Sequence, residues 1–222
     1  MVKPLKKPAA PGSSLDSYRP IALTSTICKI YERVVTNRLL HFLDEEQCLT
    51  KFQAGFRKAR STMDQLIRLQ DDAQRALKHR DTVRAIFLDL SKAFDTVWIP
   101  GLLHKIRKLK IPKNIYLFIN NFLNNRRIII EVNGTRSQEY NLYGGTPQGS
   151  VISPLLFLIM INDFPQPKEN KMKFSLFADD SAIWIYGKSY KIMTRKLQSY
   201  LNEIIDWCDK WGFCLNAKKH NQ

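Results

Sequence analysis

Two adjacent carboxylates, Asp179 and Asp180, stand between apolar runs in "KFSLFADDSAIWIY" (173–186). Phe174, Leu176 and Ala178 alternate before the pair. Ala182, Trp184 and Tyr186 alternate after it, with Ile183 and Ile185 between them. Both flanks predict β-strands. A tight hairpin turn tolerates Asp, which accepts left-handed backbone angles. An ionised carboxylate inside a strand is costly unless something compensates it. A third carboxylate, Asp89, closes the apolar run "VRAIFLDL" (83–90); alone, it is an ordinary turn or cap residue. If that run pairs beside the 173–186 hairpin, the three carboxylates converge. Like charges so close repel and raise each other's pKa, and a divalent cation removes the penalty. Mg²⁺ favours a few carboxylates plus substrate phosphates. Two such ions about 3.5–4 Å apart clamp an in-line phosphoryl displacement. The chemistry these residues could carry is metal-assisted phosphoryl transfer.

The elements that must position them follow from periodicity. Residues 27–46 predict a helix, with Ile27, Ile30, Tyr31, Val34, Val35 and Leu39 at helical spacing, and 62–79 a second, opened by a Thr62–Gln65 capping box. The 83–90 strand is apolar on both faces, which predicts a central place in a sheet. Helices near 99–109 and 113–123 come next, then a hairpin over 126–142 around Asn133-Gly134. "GGTPQGSVISPLLFLIMINDF" (144–164) opens as a glycine-rich loop. It continues as a buried helix with Ser153 as N-cap and Pro154 in its first turn. A helix near 190–210 and a short strand "FCLN" complete an α+β pattern.

Lys and Arg number 35 against 20 Asp and Glu, a net charge of +15 that calls for a polyanionic partner. A membrane fits poorly. No apolar stretch reaches the length of a span, and the basic residues are not gathered on one amphipathic helix. The start, "MVKPLKKPAAPG", lacks the apolar segment of a secretion signal. Cys28, Cys48, Cys208 and Cys214 form no C-x-x-C pair, and Cys208, Cys214 and His220 match no common zinc spacing. Free thiols in a reducing, intracellular compartment follow, in the nucleus or the cytoplasm.

The motifs "AIFLDLSKAFDTV", "GTPQGSVISPLLF" and "FADD", in this order, resemble the polymerase motifs of reverse transcriptases. "YRPIALTS" (18–25) and "FQAGFRKARSTMDQ" (52–65) resemble the upstream finger motifs of the non-long-terminal-repeat, jockey-like retrotransposon enzymes. Together they cover about residues 18–219. The resemblance implies a right-hand polymerase fold with a split βαβ palm sheet backed by helices. Residues 1–17, rich in Lys, Pro, Ala and Ser, read as a loose leader; the resemblance divides the rest into a fingers-like segment (18–82) and a palm-like segment (83–222). It also implies an RNA-directed DNA polymerase that uses an RNA template, a DNA primer and deoxynucleoside triphosphates.

By the same resemblance Asp89, Asp179 and Asp180 hold two Mg²⁺ ions, for which Mn²⁺ could substitute. The Leu90 carbonyl completes one site. Phe94 lies against the sugar of the incoming nucleotide, where its ring excludes a 2′-hydroxyl; its bland alternative is core packing. Gln148 and Gly149 approach nucleotide and template, and Arg19 contacts the triphosphate. Arg57 and Arg60 follow the nucleic-acid backbone, or are simply solvated surface charge. Asp95 is a turn or cap residue. Asn216 and Lys219 match the start of a further motif, in which Lys219 donates a proton to pyrophosphate. His220 then departs from the family's usual Thr.

No stretch resembles the thumb, the endonuclease or a zinc knuckle of the full elements. The expectation is therefore a piece of a longer protein, or a decayed copy, that binds nucleic acid but extends primers poorly alone. Two other readings compete. A catalytically silent nucleic-acid-binding remnant fits the charge. A metal-dependent nuclease fits the carboxylates, but not the glycine-rich loop or Phe94.

Overall fold

A computed structural model describes residues 1–8, 14 and 17–216. In chain order, strands β1 (Val2–Lys6) and β2 (Tyr18–Ala22) precede helix α1 (Thr26–Glu45). Helix α2 (Thr62–Lys78) and strand β3 (Thr82–Asp89) follow, then helices α3 (Ile99–Lys108) and α4 (Lys113–Leu123). Next are the short strands β4 (Arg126–Ile128), β5 (Glu131–Val132), β6 (Thr135–Arg136) and β7 (Tyr140–Leu142). Helix α5 (Ser153–Met160), strands β8 (Met172–Phe177) and β9 (Asp180–Gly187) and helix α6 (Tyr190–Trp211) complete the α+β order. Two compact units are assembled from interleaved stretches: 1–48 with 94–160, and 49–93 with the chain from 161 onward.

The second unit is built on an antiparallel sheet in the order β3-β9-β8. The predicted hairpin is present as β8 and β9, closed by the pair Phe177–Asp180. Ile183, Trp184 and Ile185 make β9 the buried centre of the sheet, and α2 and α6 pack on it. The Trp184 indole N–H donates to Asp72 of α2 at 3.0 Å, so this large ring is buried without an unsatisfied donor. The central place expected for β3 is not observed. Among the described strands it pairs with β9 and stands at one end of the sheet order, with residues 214–216 bonded only at its C-terminal end and Phe87 58% exposed. Apolar residues on both faces are ordinarily a mark of a covered strand; here one face of β3 stays open. The capping box at α2 is shifted one residue from expectation, to Ser61 and Asp64.

The first unit has its core around α5. That helix is buried on every side, from Leu155 to Met160. The Lys105 ammonium of α3, itself buried, donates to the Met160 carbonyl and so satisfies an orphan acceptor at the helix end. Part of the expected leader is ordered, since β1 pairs with β2 from Val2–Ala22 to Lys6–Tyr18. The 126–142 hairpin forms as two short ladders, β4-β7 and β5-β6, around Asn133-Gly134. Helix α1 buries Glu32, Val35, Leu39 and Leu43. Four of the apolar residues expected on its core face, Ile27, Ile30, Tyr31 and Val34, are exposed instead.

Candidate active site

The carboxylates lie in the second unit. Antiparallel pairing of β3 with β9 places Asp89 directly opposite Asp180. Opposite residues of a ladder share a face of the sheet. The Asp89 carbonyl accepts the Asn216 backbone N–H at 2.8 Å, on the side away from β9. Asp89 and Asp180 are therefore a pair without mutual backbone bonds, the kind with Cα atoms about 4.5 Å apart and side chains closest. Asp179 sits beside them in the β8-β9 turn.

Among the described residues no group of three or more His, Cys, Asp or Glu side chains stands close enough to hold a metal ion. The structure thus sets two carboxylates in register and leaves the third in the adjoining turn, short of the expected convergence. The donor set still suits Mg²⁺, which needs only one or two carboxylates when phosphates and water fill the remaining positions. Leu90 is 6% exposed and bridges Leu215. Its backbone groups point opposite to those of Asp89 and Ser91, which bond to Asn216 and Cys214. The Leu90 carbonyl is therefore aimed to the β9 side, where a carbonyl ligand would be needed.

Two supports of this site carried no role at the sequence level. Asn216 donates from its side-chain amide to Asp89 Oδ2 at 3.0 Å. Residues 52–55 run along the outer edge of β8, with Ala54 N–H bonded to the Leu176 carbonyl at 2.9 Å and Leu176 N–H to the Phe52 carbonyl at 3.1 Å. Arg57 and Arg60, expected along nucleic acid, each commit a guanidinium arm to this segment. Arg57 donates to the Thr50 carbonyl at 3.0 Å and Arg60 to the Gln53 carbonyl at 2.9 Å, and Arg60 also bonds the Lys51 carbonyl.

The first unit carries the expected nucleotide-binding residues. Gln148 Nε2 donates to both Asp95 oxygens, at 2.9 and 3.0 Å. Asp95 is thus more than a turn residue, because it holds the amide of the glycine-rich loop. The Gln148 carbonyl accepts the Ala22 N–H at 2.7 Å, which ties that loop to β2, the strand bearing exposed Arg19. Gly149 has φ +101°, and a Cβ there would stand 2.8 Å from the Ala22 carbonyl oxygen. Only glycine meets both conditions. Phe94 is half-buried and stacks on Phe157, with centroids 4.7 Å apart.

Glu32 anchors the same loop from α1. Fully buried, its carboxylate accepts from Ser150 Oγ at 2.5 Å and from the backbone N–H groups of Val151 at 2.7 Å and Ile152 at 3.4 Å. These amides immediately precede α5, so Glu32 fixes the approach to the helix; Ser153, expected as its N-cap, is instead the first residue of α5, and its Oγ is buried without a partner. Arg126 donates to the Gly144 and Gly145 carbonyls, both at 2.5 Å, and burial lowers its pKa from the ordinary guanidinium value. Lys219 lies outside the described residues. No helix among the described residues is long and apolar enough to cross a membrane.

Comparison with known proteins gives this geometry its context. The chain is 36% identical over 213 residues to the RNA-directed DNA polymerase from mobile element jockey of Drosophila melanogaster, covering 93% of this chain and 23% of that protein. It is 34% identical to the probable RNA-directed DNA polymerase from transposon BS of the same species, covering 97% and 24%. The chain thus spans about a quarter of the length of these curated relatives. Among solved structures, apo telomerase from Candida tropicalis, truncated from its C-terminal domain, superposes with a TM-score of 0.63 at 14% identity, over 91% of this chain and 47% of that one. Telomerase from the same species in complex with the TWJ fragment of telomeric RNA gives 0.66 at 13% identity, over 93% and 39%. At those identities the likeness is one of fold. The profile of the reverse transcriptase (RNA-dependent DNA polymerase) family matches residues 5–222, and the chain belongs to that family.

Proposed function

We propose that this chain is the fingers-and-palm part of a retrotransposon RNA-directed DNA polymerase, adding deoxynucleotides to a primer 3′-hydroxyl on an RNA template. The observation that carries the reading is the Asp89–Asp180 pair at the end of β3-β9 with Asp179 in the adjoining turn. In this reading residues 18–82 act as fingers and 83–222 as palm. Asp89, Asp179 and Asp180 hold two Mg²⁺ ions, or Mn²⁺ in their place, together with the Leu90 carbonyl. When bound, such ions make the primer hydroxyl a better nucleophile and stabilise the charge of the leaving pyrophosphate.

The remaining steps belong to the chain's own side chains. Arg19 pairs with the triphosphate, and Gln148, oriented by Asp95, presents its free carbonyl edge beside the nucleotide. The Phe94 ring, braced by Phe157, fills the space that a 2′-hydroxyl would occupy. Lys219 gives a proton to pyrophosphate. The +15 charge holds template and primer through their phosphates. The work would be done where RNA and deoxynucleotides meet, in the nucleus or the cytoplasm.

The test is single-nucleotide addition to a labelled primer on RNA with Mg²⁺, beside Asp179→Asn. The expected result is extension by one deoxynucleotide, lost at least ~10³-fold in the variant, about 4 kcal/mol of transition-state stabilisation. Shortening of the primer would identify a nuclease. Binding without either reaction would identify a silent nucleic-acid-binding remnant.

A further inference from the structure

Gln53 is 2% exposed, and its side-chain amide bonds both the β8-β9 turn and the backbone of its own segment. Its Oε1 accepts the Ala178 N–H at 3.0 Å and the Gly55 N–H at 2.7 Å, and its Nε2 reaches the Ala178 carbonyl at 3.4 Å. Both backbone groups of Ala178 are thus held by one side chain, 125 residues away in sequence. Ala178 has φ +53°, a left-handed conformation that is unusual for a residue with a Cβ. Strain of this kind persists only where the surroundings over-determine it. Gly55 adds a second constraint. A Cβ there would stand 2.3 Å from the Ala178 nitrogen, so the 52–55 segment is pressed against the turn as closely as a backbone allows.

Ala178 immediately precedes Asp179 and Asp180. In a two-residue turn the dihedrals of the first residue set where the second points. We infer that Gln53 is a positioning residue for the metal-binding turn: it locks Ala178 in its left-handed conformation and so fixes the direction of the Asp179 carboxylate toward the ions. The inference rests on the polymerase reading of Asp179, and deepens it by assigning a control of metal affinity to a residue that touches neither metal nor nucleotide. Outer-shell partners of this kind typically change metal affinity ~10–100-fold when removed.

Three measurements test it on the full chain. In the parent, the Ala178 amide should exchange with solvent far more slowly than open-turn amides, because Gln53 accepts its proton. Exchange at the open rate would overturn the clamp without any variant. Gln53→Met keeps the length of the side chain and removes the acceptor and donor. It should speed Ala178 exchange and raise the Mn²⁺ concentration for half-saturation, followed by electron paramagnetic resonance without nucleic acid, by ~10-fold or more. Gln53→Glu keeps an acceptor for Ala178 and Gly55 and should recover part of the exchange protection. Metal affinity equal to the parent in a folded Gln53→Met protein would overturn the inference. Retained nucleotide addition in Asp179→Asn would instead overturn the polymerase reading, so the two failures are told apart.

Discussion

Asn216 grips Asp89 at two points, its side-chain amide on Oδ2 at 3.0 Å and its backbone N–H on the carbonyl at 2.8 Å. One residue thereby sets both the strand end and the carboxylate that the polymerase reading places on the metals. Asn216→Ala should cut nucleotide addition ~10–100-fold, with most of the loss recovered by raising Mg²⁺. Asn216→Asp should be worse, since it places a second negative charge against Asp89. A Mg²⁺ titration of single-nucleotide addition checks both; an unchanged half-saturating concentration would show that the contact is idle.

Phe94→Ala should admit ribonucleotides while leaving metal affinity in place. The measurement is the ratio of kcat/KM for deoxy- over ribonucleotide. Its ring already has a packing role against Phe157, so a modest stability loss is expected as well. A ratio within twofold of the parent would return Phe94 to packing alone.

Glu32→Ala should destabilise the protein by about 3 kcal/mol, because the donors of Ser150, Val151 and Ile152 lose a charged acceptor inside the core. Glu32→Gln keeps one acceptor oxygen and should cost less. Denaturant unfolding measures the difference. Equal stability of Glu32→Ala and the parent would mean that the loop finds other partners.

Cys208 supplies a pH dependence. Burial, then the charges of Asp209 and Cys214, push its thiol from 9.0 up to about 12. The thiol is the favoured form in the fold, so its contribution is full below about pH 9. It is lost as pH rises from there toward about 12. Cys208→Ala should flatten the alkaline fall in stability within that window. At pH 8, an alkylating reagent should modify exposed Cys214 and spare buried Cys208 until the protein is denatured; equal rates for the two would contradict the burial.

The hairpin that carries Asp179 and Asp180 was legible because two apolar, β-prone runs flank a turn-tolerant residue pair. The edge position of β3 was not, because Ala85 and Phe87 are apolar yet exposed, and apolarity reports what a face could bury, not what covers it. The same holds for Ile27, Ile30, Tyr31 and Val34 on α1. Their helical spacing is correct and their direction is not, since the buried stripe turns out to include Glu32. That charge among apolar neighbours was the available clue, but its partners lie about 118–120 residues downstream. Gln53 falls inside the 52–65 motif, but its role could not be read there, because it exists only once β8 and β9 have folded against it.

The pair at the heart of the site also sets a schedule. Asp89 precedes Asp180 by 91 residues. At a synthesis rate of about 5–20 residues per second, β3 leaves the ribosome roughly 5–20 s before its ladder partner β9 exists. Throughout that interval its apolar face, Phe87 included, and both rows of backbone groups are open to other chains. Until residues through 180 have been made, β3 is therefore an unpaired apolar strand, and its exposure lasts as long as the intervening chain takes to synthesise.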